Sequence, residues 1–235
     1  MPLPGEIPEQ CQHFGESLWE ETGDSKYTLT LFCDIDHLTI MNERTFDAKD
    51  AHRLEDPERL KWLPPAEVVA QLQLEAGMTI ADVGAGTGYF ALPMARMVGE
   101  KGKVLAVDFQ QEMLDRLHQK IHESGSSGNI ELVRGEAVRT ALPDRSVDMV
   151  FLANVWHELD DLAAVLAEAK RILQPGGRIA ILDWRPDVIQ PPGPPLSHRI
   201  APASVAVMLR QEGWERESTC NIGAYNYLVT AGTRE

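Results

Sequence analysis

The chain is poor in cysteine and lacks the features of an exported or membrane-spanning protein. Its three cysteines, Cys11, Cys33 and Cys220, lie far apart. They match neither a disulfide framework nor the paired spacing of a metal site, so we predict no metal and a reducing compartment. No uninterrupted apolar run reaches the ~18 residues that a membrane-spanning helix needs. The first residues include Glu6 and Glu9 but no basic segment typical of a secretory signal. These absences favour a soluble cytoplasmic protein.

Basic residues are also scarce. The chain has 22 Lys and Arg against 36 Asp and Glu, which gives a formal net charge of −14 at pH 7. A nucleic-acid-binding protein needs a basic face to displace the counterions of the phosphate backbone. The charge balance therefore disfavours nucleic acid as a partner, while the oligomeric state stays open.

Glycine, in contrast, is concentrated at one informative place. An apolar run that includes Ile80 and Val83 ends in glycines at alternate positions, Gly84, Gly86 and Gly88, and a helical pattern follows. This order predicts a buried strand, a tight turn and the start of a helix. Because glycine has no Cβ, such a turn can bend sharply and let a ligand approach the backbone closely.

The glycine spacing separates two kinds of nucleotide site. A dinucleotide fingerprint places a third small residue where this chain has Tyr89, and a large ring cannot replace that residue at the helix–strand contact. The pattern Asp82-x-Gly84-x-Gly86-x-Gly88 instead resembles motif I of the class I S-adenosylmethionine-dependent methyltransferases. The resemblance implies that S-adenosylmethionine is the cofactor, that Ala85 and the three glycines line its site, and that Asp82 orients its amino end.

The same resemblance implies the fold and assigns roles to later residues. The implied fold class is α/β: a Rossmann-like doubly wound, seven-stranded, mostly parallel sheet with a C-terminal antiparallel hairpin and strand order 3-2-1-4-5-7-6. Asp108 follows the predicted strand 104–107, twenty residues beyond the last glycine of the turn. An acidic residue at this place binds the ribose hydroxyls in nucleotide-binding α/β folds. The alternative is that Asp108 is the N-cap of the next helix.

Three further landmarks agree with the resemblance. Phe109 and Met113 occupy positions that flank the adenine in the family, although Met113 also belongs to an apolar helical stripe that predicts core packing. Glu136 and Ala137 match the third motif, beside the adenine amino group, with a surface turn as the alternative. A break at Pro175-Gly176-Gly177 after a predicted helix is another recurrent feature of the class.

The acceptor side of the site has weaker signals. Asn154, His157 and Trp184 follow predicted parallel strands, where ligands bind in open α/β sheets. We assign Asn154 to cofactor binding, and His157 and Trp184 to substrate binding. His157 is also the candidate general base, needed only if the acceptor atom carries a proton of high pKa. The alternative is that His157 packs or caps locally. His157-Glu158 does not begin a zinc motif, because Asp161 stands where the second histidine would be.

The sequence divides into three predicted regions. Residues 1–40 form a poorly ordered extension, and Met41 could be the true start. Residues 41–75 form a helical lid segment, in which His52, Arg53 and Trp62 are candidates for covering the site. Residues 76–235 form the methyltransferase domain.

The function implied is in-line methyl transfer from S-adenosylmethionine to a small molecule. A non-catalytic S-adenosylmethionine-binding protein is the main alternative. An NAD(P)-dependent reductase is disfavoured by Tyr89 and by the lack of a Tyr-x-x-x-Lys pair. Arsenite methyltransferases belong to the resembling group, but they use a cysteine set that this chain lacks. The acceptor molecule, the acceptor atom and the need for a base are not predicted.

Overall fold

The computed structural model describes residues 18–22, 25–29, 45–125, 128–188 and 193–233. The chain divides into two units, Met1–Thr45 and Phe46–Glu235. In the first unit, strands Leu18–Thr22 and Ser25–Leu29 pair antiparallel. Met41 lies outside the described residues. The poorly ordered extension, the lid boundaries and the later start stay predictions.

The second unit is built on a seven-stranded sheet. Its strands in chain order are β1 (Thr79–Val83), β2 (Lys103–Asp108), β3 (Ile130–Arg134), β4 (Val147–Ala153), β5 (Leu173–Trp184), β6 (Glu215–Ile222) and β7 (Asn226–Gly232). The spatial order is 3-2-1-4-5-7-6. Strands β1 to β5 pair parallel to one another, and β7 is antiparallel to both β5 and β6. The predicted fold class and strand order are therefore confirmed.

Helices lie against both faces of this sheet. They are α1 (Arg59–Trp62), α2 (Pro65–Gln71), α3 (Ala91–Val98), α4 (Gln111–Glu123), α5 (Leu162–Ile172) and α6 (Pro202–Gln211). Short 3₁₀ segments form at Ala48–Glu55, Trp156–Glu158 and Leu196–His198. None of the helices in the described ranges is both long and apolar enough to cross a bilayer.

Alternate residues of each central strand enter different layers of the core. In β4, Val150 and Leu152 pack in the layer that contains the apolar residues of α5 and α6. Met149 and Phe151 pack in the opposite layer, with residues of α2 and α3. Burial on both faces requires the nearly continuous apolar run that this strand shows. With both faces covered, the ends of the strands are left to bind a ligand.

Two local predictions differ from the structure. The break predicted at Pro175-Gly176-Gly177 lies inside β5, which begins at Leu173 directly after α5. Leu173 pairs with Val147, and the register then shifts so that Arg178 faces Met149. The glycines therefore accommodate an irregularity within the strand.

The second difference is at Asp56-Pro57, a pair that favours a helix start with Asp as the N-cap and Pro at the first helical position. Helix α1 begins at Arg59, because Asp56 Oδ1 accepts a hydrogen bond from Glu58 N at 2.9 Å in a turn that precedes the helix.

Candidate active site

The carboxyl ends of the parallel strands gather the predicted site residues at one edge of the sheet. Because β1 lies between β2 and β4, the turn after β1 is flanked by the ends of those two strands. Asp108 ends β2, and Asn154 follows β4. Trp184 ends β5, the next strand along. This edge is the ordinary ligand site of open α/β sheets.

The glycine turn is held to the neighbouring strand by its backbone. The amides of Gly84 and Ala85 both donate to the carbonyl oxygen of Val107, at 2.8 and 3.0 Å. Gly84 has φ +74°, and a Cβ there would lie 2.5 Å from Val155 Cγ2. Gly88 has φ +81°, and a Cβ there would collide with Leu117 Cδ1. These two positions therefore need glycine for packing as well as for conformation.

Gly86 differs from its two neighbours. Its φ is +53°, but a Cβ would meet nothing closer than Leu54 Cδ1 of the lid segment, at 3.4 Å. Its amide donates to Asp108 Oδ2 at 2.9 Å. Gly86 thus links the turn to the acidic residue at the end of β2.

Asp108 is nearly buried, with 6% of its surface exposed. Burial raises the pKa of its carboxyl, and hydrogen bonds from the amides of Gln110, Gly86 and Phe109 oppose that effect. The N-cap of α4 is Gln110, not Asp108. A carboxylate has about four lone-pair sites, so these three amide donors leave capacity for a further hydrogen bond.

Asp82, one residue before the end of β1, is an unusual buried carboxylate. It is 2% exposed, and Oδ2 has no hydrogen-bond partner among the described residues. Burial, with a smaller contribution from the charge of Asp108, raises the pKa of Asp82 to about 7. A buried polar atom without a partner is costly, and a bound donor group would satisfy it.

The lid segment crosses this edge. Gln110 accepts a hydrogen bond from Ala48 N at 2.9 Å and donates one to the carbonyl oxygen of Phe46 at 2.8 Å. Phe46 N donates to Glu158 Oε2 at 3.0 Å. Residues 46–48 therefore connect the end of β2 with the segment that follows β4.

A second contact fastens the lid segment nearer the glycine turn. Lys120 pairs with Glu55 at 2.9 Å and donates to the backbone and hydroxyl oxygens of Thr87. His52 and Arg53 are exposed. Trp62 is half-buried and packs against Trp184, with 5.4 Å between ring centroids.

The residues predicted to contact adenine have different environments. Met113 is buried in the core, and Phe109 is half-buried. Glu136 is exposed and exchanges two backbone hydrogen bonds with Arg139, which makes this segment a turn. Ala137 is half-buried. Their roles toward adenine stay predictions.

On the side of the site that the sequence predicts to hold the acceptor, a histidine and an aspartate form a buried pair. His157 is 4% exposed, and its Nδ1 lies 2.8 Å from Asp183 Oδ1. Burial alone would lower the pKa of His157, but the hydrogen bond and charge of Asp183, with the charge of Glu158, raise it above the usual value. The Nε2 atom lies 3.8 Å from Glu158 Oε1.

Glu158 and Asn154 complete this side. Burial raises the pKa of Glu158 to about 7, against the opposing hydrogen bond from Phe46. Asn154 has φ +57°, a conformation that asparagine tolerates better than most residues. Its Oδ1 accepts a hydrogen bond from Asn226 Nδ2 at 2.8 Å.

Comparison with known proteins agrees with this geometry. A family model described as "Methyltransferase domain" matches residues 81–181. A crystal structure of a SAM-dependent methyltransferase from Aquifex aeolicus superposes with a TM-score of 0.75 and 35% sequence identity, covering 80% of this chain and 99% of that one. The chain belongs to the class I S-adenosylmethionine-dependent methyltransferases. The cofactor of this family is S-adenosylmethionine.

Two other relatives of this methyltransferase are more distant. The ubiquinone/menaquinone biosynthesis C-methyltransferase UbiE of Escherichia coli is 32% identical over 115 residues, which are 49% of this chain and 46% of that protein. The match thus spans about half the length of the curated relative. An arsenic(III) S-adenosylmethionine methyltransferase from Chlamydomonas reinhardtii superposes with a TM-score of 0.53 and 26% identity, covering 68% of this chain and 64% of that one.

The residues present fit the family's cofactor. The carboxylate of Asp82 offers an unpaired buried oxygen to an ammonium group, and Gly86 leaves backbone space beside Asp108. Within the described ranges, no group of three or more His, Cys, Asp or Glu side chains is placed to hold a metal ion.

Sequence reasoning missed four residues that the structure brings to this candidate site. They are Gln110, Glu158, Asp183 and Asn226. Asp183 was visible at a strand end, but its partner lies 26 residues away and only the sheet order brings the two together. Asn226 lies at the start of the antiparallel β7 and belongs to no recognisable sequence motif.

Proposed function

We propose that this protein transfers the methyl group of S-adenosylmethionine to a small molecule at the carboxyl edge of its sheet. The observation that carries the proposal is the cradle formed by the turn 84–88, in which the Gly86 amide is bound to Asp108 beside the unpaired oxygen of Asp82. In this proposal Asp108 binds the ribose hydroxyls, and Asp82 binds the amino end of the cofactor.

The remaining cofactor contacts follow the sequence assignments. Phe109 and Met113 flank the adenine, and Glu136 and Ala137 lie at its amino edge. Asn154 contacts the cofactor from the end of β4. These assignments are supported by position at one sheet edge.

The bound cofactor supplies a methyl group activated by a positively charged sulfur. The chain's own contribution is to hold an acceptor in line with that group. Such positioning contributes about 7–11 kcal/mol at best. The lid segment, tied to Gln110 and Glu158, excludes water that would solvate the acceptor atom. Trp62 and Trp184, in contact with each other, form one wall of the proposed acceptor pocket.

The acceptor is proposed to be a small molecule, as the name of the Escherichia coli relative suggests for that protein. Arsenic is not proposed as the substrate, because the chain has only three cysteines and they are widely spaced along the sequence. The acidic charge balance argues against nucleic acid as the acceptor. The cytoplasmic location stays a prediction.

Calorimetric titration tests the cofactor assignment. S-adenosylmethionine and S-adenosylhomocysteine are expected to bind, and NAD is not. Hydrogen bonds to a charged group contribute about 1.5–3 kcal/mol, so Asp108→Ala should weaken binding roughly 10- to 100-fold. Asp115→Ala is the matched control, because Asp115 is an exposed carboxylate on α4 whose one hydrogen bond among the described residues comes from Gln111.

Each contrary result points to an alternative. Binding of NAD alone would favour a reductase, and failure of all three ligands to bind would refute the cofactor site. Tight binding of S-adenosylmethionine with no transfer to any small molecule in a metabolite extract would favour a non-catalytic binding protein.

A further inference from the structure

The carboxylate of Asp183 is surrounded by donors that fix its role. It is 1% exposed and accepts three hydrogen bonds. His157 N donates to Oδ2 at 2.9 Å, Trp184 N donates to Oδ1 at 2.7 Å, and His157 Nδ1 lies 2.8 Å from Oδ1. An ionised carboxylate can only accept hydrogen bonds, so Nδ1 of His157 must carry the hydrogen. The neutral ring then has its lone pair on Nε2.

The other side of the ring is left without a partner. Among the described residues, Nε2 has no hydrogen bond, and Glu158 Oε1 at 3.8 Å is too distant to make one. The charged groups that act on the ring are Asp183, Glu158 and Arg199. The ring is held in place by the backbone of the 3₁₀ segment Trp156–Glu158, whose central amide is bound to Asp183.

We propose that Asp183 is a positioning residue that holds His157 with Nε2 as a proton acceptor, and that the methyl acceptor is a molecule whose nucleophilic atom carries a proton, such as a phenolic or enolic hydroxyl. This inference rests on the proposed methyltransferase function. It extends that function by naming the acceptor class and the atom that removes the proton. An acceptor that methylates without losing a proton, such as a thioether, has no use for this arrangement.

In the proposed step, the oxygen of the acceptor forms a bond to the methyl carbon as the sulfur–carbon bond breaks, and the electron pair of that bond stays on sulfur. The proton of the hydroxyl passes to Nε2 of His157, and its bonding pair stays on oxygen. The imidazolium then lies between the carboxylates of Asp183 and Glu158, which stabilise its charge until solvent takes the proton.

The first test measures which ring nitrogen of His157 carries the hydrogen. Nitrogen-15 NMR of the full chain labelled at histidine distinguishes a protonated ring nitrogen from an unprotonated one. The neutral His157 is expected with hydrogen on Nδ1, and its pKa is expected above that of an ordinary histidine. In Asp183→Asn we expect a lower pKa and a mixture of tautomers. Glu158→Gln is the matched control: it removes a nearby charge but leaves the Nδ1 hydrogen bond, so the tautomer should persist.

The second test uses defined acceptors with isotopically labelled S-adenosylmethionine. Phenol and 1-naphthol serve as protic probes, and dimethyl sulfide serves as the aprotic probe. General base catalysis contributes on the order of 10²–10⁴-fold, so Asp183→Asn should slow transfer to the protic probes by up to that factor. The acid limb of the pH–rate profile should move to lower pH in the same variant.

These measurements separate the inference from the function on which it rests. If S-adenosylmethionine does not bind the wild-type protein, the proposed function fails. If it binds but the wild-type ring carries its hydrogen on Nε2, the inference is overturned, and this result needs no variant to fold. An unchanged tautomer and pKa in Asp183→Asn would also overturn it. Transfer to dimethyl sulfide alone, or to none of the probes, would contradict the acceptor class.

Discussion

The carboxyl edge of the sheet has two halves that are built in different ways. The proposed cofactor half, at the ends of β1 and β2, is held by backbone groups: amides of Gly84, Ala85 and Gly86 make its connecting hydrogen bonds. The proposed acceptor half, at the ends of β4 and β5 and the start of β7, is held by side chains. There His157 pairs with Asp183, and the side chain of Asn226 bonds to the residue that follows β4.

This difference has a functional consequence. A backbone cradle depends on glycine at fixed spacings and binds one cofactor whatever the acceptor is. A half held by side chains can gain a different acceptor specificity when those side chains are substituted, without any movement of the sheet. Residues 46–48 bridge the two halves through their hydrogen bonds to Gln110 and Glu158. A structural change in either half would therefore act on the lid segment.

The largest effect is expected in the cofactor half, at a glycine that has no space for a Cβ. Gly84→Ala places a Cβ 2.5 Å from Val155 Cγ2 at a φ of +74°. Left-handed backbone costs about 1–2 kcal/mol for other residues, and overpacking costs about 1–3 kcal/mol. The free energy of unfolding should therefore fall by about 2–5 kcal/mol, as measured by urea denaturation, and cofactor binding should weaken.

Gly77→Ala is the control for that experiment. Gly77 also has a left-handed φ, +94°, but a Cβ there would have no atom within 4 Å. The free energy of unfolding of Gly77→Ala should fall only by the cost of the left-handed backbone, about 1–2 kcal/mol. Equal losses at the two positions would mean that the contact with Val155 relaxes freely and that the cofactor half is less rigid than inferred.

The next effect concerns the unpaired carboxylate of Asp82. Its pKa is raised to about 7 in the folded protein from 3.8, so the folded state binds the proton more tightly than the unfolded chain. Stability contributed by this proton is present below about pH 4 and is lost as the pH rises toward 7. This rise in pKa from 3.8 to about 7 corresponds to about 4 kcal/mol at most, and we expect a change of about 2–3 kcal/mol in the free energy of unfolding.

Asp82→Asn should remove this dependence. Urea denaturation at pH 5 and pH 8 is expected to show a smaller loss of stability between the two pH values in the variant than in the wild type. Glu158, whose pKa is also raised to about 7, adds a pH dependence of stability that is the same in the wild type and the variant. Parallel pH profiles for the two proteins would show that Asp82 is ionised without penalty.

The fold and the glycine turn after β1 could largely be predicted from the sequence, for a physical reason. Apolar runs such as 147–152 mark strands buried on both faces, and an alternating glycine turn satisfies a backbone requirement that few other residues meet. Both signals are local. The strand order came from the family resemblance rather than from spacing, and the sheet confirms it.

The acceptor half could not be predicted in the same way. The partners His157 and Asp183 are separated by 26 residues, and Asn154 and Asn226 by 72. Their contacts depend on which strands are neighbours, and no local pattern records this. The register irregularity at the start of β5 was also missed, because Pro175-Gly176-Gly177 is equally compatible with a loop.

The smallest effect tests whether Asn154 belongs to the acceptor half alone. Asn154→Ala removes the acceptor of the Asn226 hydrogen bond and places alanine at φ +57°. Together these changes should cost about 1–2 kcal/mol in thermal or urea unfolding. Asn154→Gly loses the same hydrogen bond but adopts this φ without strain, so it should be more stable than the alanine variant by up to about 1 kcal/mol. Equal stabilities would mean that the backbone here is unstrained. Calorimetry on the glycine variant then decides the assignment: weaker binding of S-adenosylmethionine places Asn154 in the cofactor half as well, whereas unchanged binding confines it to the acceptor half.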